Sequence, residues 1–322
     1  MNHSMFRRGQ WVLGLVLCFT LAAPAYSGWR SFFGDDAGPD ARGYTETRYP
    51  IVLVHGWFGF DTIGPIDYFS GIPEALREGG AEVYVAQVPA ANYTEVRGEQ
   101  LLAQVQEIVA LSGADKVNLI GHSHGGPTTR YVAGVAPELV ASVTSIAGVN
   151  RGSPVADMSL EEYDRPVVGP MIDQTVNALA GLVDLLSDGG YPQDSRAAQY
   201  SLSTQGAAEF NSRFPAGIPQ DCGEGEPVVD GVRYYSWTGI HPVTTVVDPS
   251  DALLAVSAMA FKDQPNDGLV GQCSSKLGDV IRDDYFQNHL DEINQVAGLV
   301  GIGQDVPELY RQQANRLKNA GL

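Results

Sequence analysis

The sequence predicts an α/β protein with a mostly parallel central sheet in a single domain; two observations favour the class and a third the single domain. Short apolar runs alternate with helical patterns through the first half of the chain. Such alternation is typical of parallel strands joined by right-handed crossovers. Residues 117–126 pass from an apolar stretch through Gly-His-Ser-His-Gly into a helix-compatible segment. No linker, internal repeat or low-complexity tract divides the chain, so one large domain is expected over residues 28–322.

The individual elements follow from local signals. Short apolar runs predict strands at residues 49–54, 81–88, 116–120 and 140–147. Apolar residues at helical spacing predict helices at residues 72–78, 95–111 and 127–136. Gly79 and Gly113 follow the first two helices as stop signals. Because ligands bind at the carboxyl ends of parallel strands, the end of the third strand is a candidate functional position, and Ser123 lies there.

Ser123 lies in a pentapeptide, residues 121–125, that matches a nucleophile elbow. In this strand-to-helix turn the serine Oγ is lifted clear of the sheet edge. The turn is so tight that a Cβ at Gly121 or Gly125 would strike neighbouring backbone, and the serine adopts strained dihedrals. An ordinary glycine-rich loop is the alternative, but the flanking strand and helix patterns favour a catalytic serine.

A serine nucleophile needs a base, and the base needs an acid that fixes its tautomer. Where the nucleophile lies on such an elbow, the acid and then the histidine follow the serine along the chain, which leaves His241 and His289. We favour His289 because it comes after all the expected core strands, whereas His241 precedes a proline and is consistent with a solvent-facing position. Asp267, in the turn signal Pro-Asn-Asp-Gly, is the preferred acid. Its rivals remain open: Asp263, Asp248 and Asp251.

The oxyanion of an acyl-transfer intermediate is stabilised by two backbone N–H groups. The residue after the nucleophile, His124, would supply one of them. The second is expected from the loop after the first strand, at Trp57 within residues 55–59, although that segment also fits a simple strand-terminating turn.

The first residues predict export. Arg7 and Arg8 precede an apolar run at residues 11–22 and the small-residue site Ala25-Tyr26-Ser27, so residues 1–27 are expected to be a cleaved signal peptide. A membrane anchor is disfavoured because the run is shorter than the ~20 residues of a spanning helix. No other stretch could cross a bilayer, so the mature chain is expected to have no transmembrane segment.

Charge and cysteine content narrow the function further. The net charge of −18 becomes −20 without the signal peptide, whose charged residues are two arginines. Such a field repels nucleic acid and anionic membrane surfaces, so no nucleic-acid partner is expected. Cleavage leaves two cysteines in an oxidising compartment, where we expect one disulfide; two buried free thiols are the alternative.

Residues 160–190 are unusually apolar with helical spacing. They are interpreted either as a core helix or as a helical lid that covers the active site and opens at a lipid surface. The sequence does not separate these two readings.

Several long motifs resemble one family. These are YPIVLVHG at residues 49–56, EVRGEQLL at 95–102, the elbow at 116–126 and NHLDEINQ at 288–295. They resemble the secreted, foldase-dependent triacylglycerol lipases of the pseudomonad type, which have the α/β-hydrolase fold. The resemblance runs from about residue 44 to the C-terminus and is weakest at 151–200. It implies a triad of Ser123, Asp267 and His289, oxyanion donors Trp57 and His124, a lid at 160–190 and a disulfide Cys222–Cys273.

The resemblance also implies one structural Ca²⁺, held by the Asp248 and Asp291 carboxylates and the main-chain carbonyls of Gln295 and Leu299. Calcium prefers such hard oxygen ligands. Asp291 lies two residues after His289, so an ion there would fix the loop that carries the base. From spacing alone these aspartates would pass as helix caps or surface charges. Trp57 departs from the Met or Leu usual in the family, and its indole is expected to narrow the acyl pocket.

The sequence therefore predicts a secreted lipase that acts on water-insoluble esters at an oil–water interface, after maturation by a periplasmic foldase. A carboxylesterase or polyester depolymerase with the same triad is the related alternative. A catalytically silent α/β-hydrolase that serves as an extracellular binding module is the alternative from another class.

Overall fold

The computed structural model describes residues 43–322 except 58, 60–61, 64–65, 164–190, 192, 246 and 296–297. The predicted signal peptide and residues 164–190 of the predicted lid lie outside the described residues. Of the helices described, none is long and apolar enough to cross a membrane.

A seven-stranded sheet in the order β4-β1-β5-β6-β8-β7, with β9 also paired to β8, forms the centre of the described chain. All its pairings are parallel except that of β7 with β8, which confirms the predicted α/β class. A separate antiparallel pair is made by β2 and β3. The strands are β1 Ile51–Val54, β2 Thr62–Ile63, β3 Ile66–Asp67, β4 Val83–Ala86, β5 Val117–His122, β6 Val140–Ile146, β7 Val228–Val229, β8 Val232–Gly239 and β9 Asp279–Tyr285.

Helices follow most strands, as parallel crossovers require. They are α1 Ile72–Glu78, α2 Thr94–Ser112, α3 Gly125–Val135, α4 Pro154–Tyr163, α5 Ser195–Leu202, α6 Thr204–Arg213, α7 Pro249–Ala258, α8 Gln272–Ser275 and α9 Val306–Asn319. Short 3-10 turns lie at Pro137–Leu139, Met259–Phe261 and Asp291–Ile293. The predicted helices at 72–78, 95–111 and 127–136 are confirmed to within about two residues at each end.

The sheet has a hydrophobic core on each face. Val52 and Val54 of β1 face a cluster that includes Leu101 of α2, whereas Ile51 and Leu53 face a cluster that includes Leu76 of α1. Because both faces are covered, the central strands are apolar at successive positions rather than at alternate ones. This explains why they read as continuous apolar runs in the sequence.

The carboxyl ends of β1 and β5 lie side by side, since Val54 pairs with Gly121 in the register of the two strands. The loop after β1 and the turn after β5 are therefore neighbours at one edge of the sheet. This edge carries the candidate site.

Candidate active site

Ser123 lies in the tight turn between β5 and α3, with a positive φ of 56°. A Cβ on Gly121 would lie 2.2 Å from the carbonyl oxygen of Gly125, and a Cβ on Gly125 would lie 2.2 Å from that of Val54. Both positions therefore require glycine, as predicted for a nucleophile elbow. The serine backbone is held by a hydrogen bond from its N–H to the Ile146 carbonyl at 2.9 Å.

The loop after β1 packs directly against this serine. A Cβ on Gly56 would lie 2.7 Å from Ser123 Cβ and 3.2 Å from its Oγ. Only a glycine lets the backbone that leads into Trp57 come so close to the serine. The structure thus brings the loop after β1 and the elbow, the two predicted sources of oxyanion donors, next to each other at Ser123.

His289 and Asp267 form a buried pair. His289 Nδ1 lies 2.8 Å from Asp267 Oδ2, and the His289 backbone N–H donates to the Asp267 carbonyl at 2.9 Å. The other carboxylate oxygen of Asp267 accepts from the N–H groups of Leu269 and Val270 at 2.8 and 2.6 Å. Both carboxylate oxygens of Asp267 are therefore held by hydrogen bonds, which fixes the orientation of the imidazole.

The rival residues lie elsewhere. Asp263 is exposed, and Asp248 and Asp251 are buried around the start of α7, where they cap backbone N–H groups. His241 packs its ring on Phe286, with centroids 4.6 Å apart. Of the candidates named from the sequence, Asp267 and His289 are the pair that the structure brings together.

Arg97 lies beneath the loop after β1 and is fully buried. Its Nη2 donates to the carbonyl oxygens of His55 at 2.6 Å and Gly56 at 3.3 Å. In the described part of the chain no carboxylate pairs with it, and burial lowers its pKa to about 9. A cation bonded to the Gly56 carbonyl polarises the Gly56–Trp57 peptide, so the Trp57 N–H becomes a stronger donor.

The other predicted oxyanion donor, His124, precedes the first residue of α3. Its Nε2 lies 2.9 Å from Thr94 Oγ1, and its carbonyl accepts from Thr128 Oγ1 at 2.7 Å. Its backbone N–H therefore belongs to a rigid turn at the positive end of a helix, where developing negative charge is stabilised.

A chain of buried hydrogen bonds joins the two loops. The Gly56 N–H donates to Tyr68 Oη at 2.9 Å, and Tyr68 Oη lies 2.8 Å from His122 Nδ1. His122 Nε2 lies 3.0 Å from the carbonyl oxygen of His289, which only accepts. Nε2 therefore carries the proton and Nδ1 accepts from the tyrosine. Burial, followed by the charge of His289, holds the pKa of His122 well below its usual range, so the ring is neutral.

Glu292 is buried beside this chain, with one carboxyl oxygen 4.0 Å from His122 Nε2. Burial, and then the charge of Asp267, raise the pKa of Glu292 well above its usual range, which favours the neutral form of the carboxyl group. His122, His289 and Glu292 approach within 4.8 Å in a manner that could suit a metal. His122 is hydrogen-bonded to Tyr68 and to the His289 carbonyl, and His289 is hydrogen-bonded to Asp267. These bonds explain why the two rings lie close together without a metal ion.

Ser123 and His289 open into one cavity of about 470 Å³. Its lining is mostly apolar, and the side chains that form its walls include Trp57, Val149, Val155, Leu202, Leu269, Val270, Leu290 and Ile293. Trp57 packs against a buried apolar cluster that includes Leu202 and Val270. Trp57 thus forms part of the cavity wall, the position from which its indole is expected to narrow the acyl pocket.

The residues predicted to hold calcium surround the start of α7 and the 3-10 turn after His289. Asp248 Oδ1 accepts from the Ser250 N–H at 2.7 Å, and Asp291 Oδ2 accepts from Thr244 Oγ1 at 2.8 Å. Within the described part of the chain, the second oxygen of each carboxylate is buried and accepts no hydrogen bond. Burial raises the pKa of Asp291 to about 6. Two buried carboxylate oxygens without donors fit a hard cation such as Ca²⁺.

The predicted disulfide Cys222–Cys273 is present, with the two Cα atoms 4.9 Å apart. The disulfide links the loop before β7 to α8. Helix α8 begins shortly after the turn that carries Asp267.

Sequence reasoning missed Tyr68, Arg97 and the role of His122. One signal for Arg97 was available. It lies on the buried stripe of α2 with Thr94, Gly98 and Leu101, at helical spacing. A charged residue on the core-facing side of a helix is unusual, and it indicates that the side chain makes specific hydrogen bonds in the protein interior. Tyr68 had no such signal, because the partners of its hydroxyl group, Gly56 and His122, lie 12 and 54 residues away in the sequence.

Comparison with known proteins decides the family. A family model described as the alpha/beta hydrolase fold matches residues 49–212. This chain belongs to the α/β-hydrolase family. The hydrolase is 56% identical over 285 residues to a triacylglycerol lipase of Vibrio cholerae, covering 87% of this chain and 91% of that protein. It is 45% identical to a triacylglycerol lipase of Pseudomonas fragi, covering 86% and 98%.

Among solved structures, the α/β-hydrolase resembles a mature Bacillus licheniformis lipase with a TM-score of 0.54 and 20% identity, over 76% of this chain and 86% of that one. At that identity the likeness concerns the fold alone. The two bacterial sequences are more similar and match most of both chains, so the hydrolase is a member of their lipase family.

Proposed function

We propose that this α/β-hydrolase is a secreted triacylglycerol lipase that uses Ser123, His289 and Asp267 as a catalytic triad. The observation that carries the proposal is the buried Asp267–His289 pair, whose imidazole shares one apolar cavity with Ser123 on its elbow. The names of the relatives, which are triacylglycerol lipases at 56% and 45% identity, support the substrate class.

In the proposed mechanism His289 removes the proton of the Ser123 hydroxyl as its oxygen attacks the ester carbonyl carbon. The backbone N–H groups of Trp57 and His124 stabilise the oxyanion. His289 then protonates the leaving alcohol, and an acyl group remains on Ser123. A water molecule, deprotonated by the same histidine, releases the fatty acid and restores the serine.

The polar framework supports this chemistry because it is fixed before substrate arrives. Arg97 polarises the peptide that carries one oxyanion donor, and Asp267 bonds Nδ1 of the imidazole, so that Nε2 is the nitrogen that serves as the base. Preorganised dipoles of this kind require little rearrangement when charge develops in the transition state.

We further propose one structural Ca²⁺, held by Asp248, Asp291 and the main-chain carbonyls of Gln295 and Leu299. The unpartnered buried oxygens of the two carboxylates support it. The ion would neutralise buried negative charge and fix the turn that follows His289. It has no part in the chemical steps.

Export through the periplasm, with a lipase-specific foldase as maturation partner, completes the proposal. The apparent signal peptide and the disulfide Cys222–Cys273 support an oxidising, extracytoplasmic destination. The proposal of a foldase partner rests on the family resemblance alone.

The function is tested by hydrolysis across a series of triacylglycerols, from tributyrin to triolein, beside soluble short esters. We expect hydrolysis of emulsified long-chain triacylglycerol by the wild type, and a rate lower by about 10⁴-fold or more for Ser123→Ala. Activity confined to soluble esters would replace the lipase with a carboxylesterase or polyester depolymerase. Inactivity on every ester would leave a catalytically silent binding module.

A further inference from the structure

Gln199 lies in the mostly apolar wall of the active-site cavity, on helix α5. The residue is buried, with 1% of its surface exposed. Leu202, three residues further along the same helix, also lines the cavity, and Ala198 belongs to a small apolar cluster. An amide buried among apolar side chains lowers the stability of the protein unless hydrogen bonds satisfy both its donor and its acceptor. The partners of this amide therefore bear on its function.

One half of the amide has a protein partner. Gln199 Nε2 donates to the carbonyl oxygen of Ala156 in α4 at 3.0 Å, and Ala156 also lines the cavity. Because a carbonyl oxygen only accepts, the amide nitrogen must lie on this side, and the remaining polar atom is the oxygen Oε1. Oε1 is buried and accepts no hydrogen bond from the residues that the structure describes. Buried polar atoms without a partner are few in native proteins, and each one calls for an explanation.

Ser153, another polar residue of the cavity wall, shows the usual arrangement. Its Oγ donates to the Leu269 carbonyl at 2.6 Å and accepts from the Val155 N–H at 3.2 Å. Gln199 differs because its acceptor is left for a group that carries an N–H or an O–H. The cavity that Gln199 lines is the space that the ester occupies in the proposed reaction, so the bound substrate is the place to look for that donor.

The chemistry of the proposed reaction supplies such a donor. The oxygens of a triacylglycerol only accept hydrogen bonds, so this substrate cannot satisfy Oε1. When the first ester bond is cleaved, His289 protonates the leaving glycerol oxygen, and the diacylglycerol product carries one hydroxyl group. Diacylglycerol is in turn an ester that the same triad can cleave. The hydroxyl group generated in the first reaction is therefore a donor of the kind that Oε1 requires.

We propose that Gln199 Oε1 accepts a hydrogen bond from the free hydroxyl group of a bound partial acylglycerol, which makes Gln199 a specificity-determining residue. This inference rests on the proposed lipase function and specifies its substrate class. A hydroxyl group on the acyl chain would offer the same donor. The glycerol hydroxyl is favoured because every first turnover on a triacylglycerol produces it. A neutral hydrogen bond of this kind raises kcat/KM about three- to tenfold over that of an ester of the same size without the donor.

The test measures kcat/KM of the mature protein on two dissolved esters, 1,2-dibutyrylglycerol and its 3-O-methyl ether. The ether keeps the glycerol oxygen and both ester bonds but has no O–H group. We expect wild-type protein to prefer the diacylglycerol about three- to tenfold. In Gln199→Leu, which replaces the amide with an apolar side chain of similar size, the preference should fall below about twofold. Gln199→Met, an unbranched replacement, should give the same result and takes its place if the leucine variant does not fold.

Ser159→Ala is the matched control. Replacement of Gln199 also removes a hydrogen bond to a carbonyl of α4, so the effect of a loosened helix must be separated from that of a lost acceptor. Ser159 Oγ donates to the Val155 carbonyl of the same helix at 2.9 Å, and Ser159 lies outside the described lining of the cavity. The Ser159→Ala protein should therefore keep the wild-type preference for the hydroxyl group.

Equal kcat/KM values of wild-type protein on the two esters would overturn the inference and leave the lipase function standing, the result expected if a water molecule satisfies Oε1. An unchanged preference in the Gln199 variants would also overturn it. A second pair, p-nitrophenyl butyrate and p-nitrophenyl 3-hydroxybutyrate, tests the other source of the donor. A preference that depends on Gln199 but is confined to the hydroxylated acyl chain would refute the partial acylglycerol as the ligand. Wild-type protein that hydrolyses neither these esters nor emulsified triolein would refute the lipase function, and this inference with it.

Discussion

The hydroxyl oxygen of Tyr68 lies 2.8 Å from Nδ1 of His122, and through it the loop that carries one predicted oxyanion donor is linked to the loop that carries the predicted base. The link runs from the Gly56 N–H to the carbonyl of His289 without leaving the protein interior. A displacement of either loop therefore costs a buried hydrogen bond. Tyr68 and His122 act as positioning residues in this account.

The Tyr68→Phe variant tests this link. Loss of the hydroxyl leaves the Gly56 N–H and His122 Nδ1 without their partner in a buried site, which costs about 1–3 kcal/mol of stability. We expect kcat to fall about tenfold as the oxyanion loop relaxes, with KM changed less than threefold. Tyr310→Phe is the control, since that buried hydroxyl bonds the Glu292 carbonyl at 2.9 Å. Equal losses of kcat in the two variants would reduce Tyr68 to a structural residue.

The Asp267→Asn variant tests the acid. The amide keeps an oxygen for the Leu269 and Val270 N–H groups but presents a donor to His289 Nδ1, which favours the wrong tautomer. We expect a fall in kcat of at least a hundredfold, with a melting temperature close to that of wild type. The exposed neighbour Asp263 provides the comparison, and Asp263→Asn should retain kcat within twofold. Greater damage at Asp263 would transfer the acid role to that residue.

Calcium removal should lower stability. A ligand that binds only the native state stabilises it by about 2.7 kcal/mol at a hundredfold excess over its Kd. We expect chelator to lower the melting temperature of wild-type protein and re-added Ca²⁺ to restore it. The Asp291→Ala protein should melt at the lower temperature whether or not calcium is present. A wild-type melting temperature that is the same with and without chelator would contradict the proposed calcium site.

Acid should destabilise the protein through its buried neutral histidines. Burial, and then the charge of Arg97, lower the pKa of His55 to about 3. Between pH 6.5 and about 3 the unfolded chain binds a proton at this residue that the native state excludes, so stability is complete above pH 6.5 and falls below it. The loss approaches about 1.4 kcal/mol per pH unit.

Replacement of His55 by Gln removes this titration. With calcium held saturating, we expect the variant to lose about 1.4 kcal/mol less stability than wild type between about pH 7.5 and pH 5.5. Denaturant unfolding at the two pH values measures the difference. An identical pH dependence in both proteins would show that His55 is not the group that titrates.

The local parts of this molecule could be predicted from the sequence, because their causes lie within a few residues. The elbow is an example: Gly121 and Gly125 are required by backbone contacts inside one turn. Strand ends were less predictable. Strand β5 continues past its predicted end to His122, because Gly121 and His122 pair with Ser145 and Ile146 of β6.

Long-range relationships were not predictable in the same way. Asp267 could not be separated from Asp263, Asp248 and Asp251 by residue type alone, since the distinction is a distance to His289. The link through Tyr68 requires three segments far apart in the chain to meet.

The central claim is that Ser123 carries the acyl group, and trapping that residue tests it most directly. A lipid-like phosphonate ester that mimics the tetrahedral intermediate should modify one residue per molecule, identified by mass spectrometry as Ser123, and abolish hydrolysis in proportion to labelling. The Ser123→Ala protein should remain unlabelled, fold normally and show hydrolysis reduced by about 10⁴-fold or more. Label on another residue, or a Ser123→Ala protein within tenfold of wild-type activity, would contradict the account.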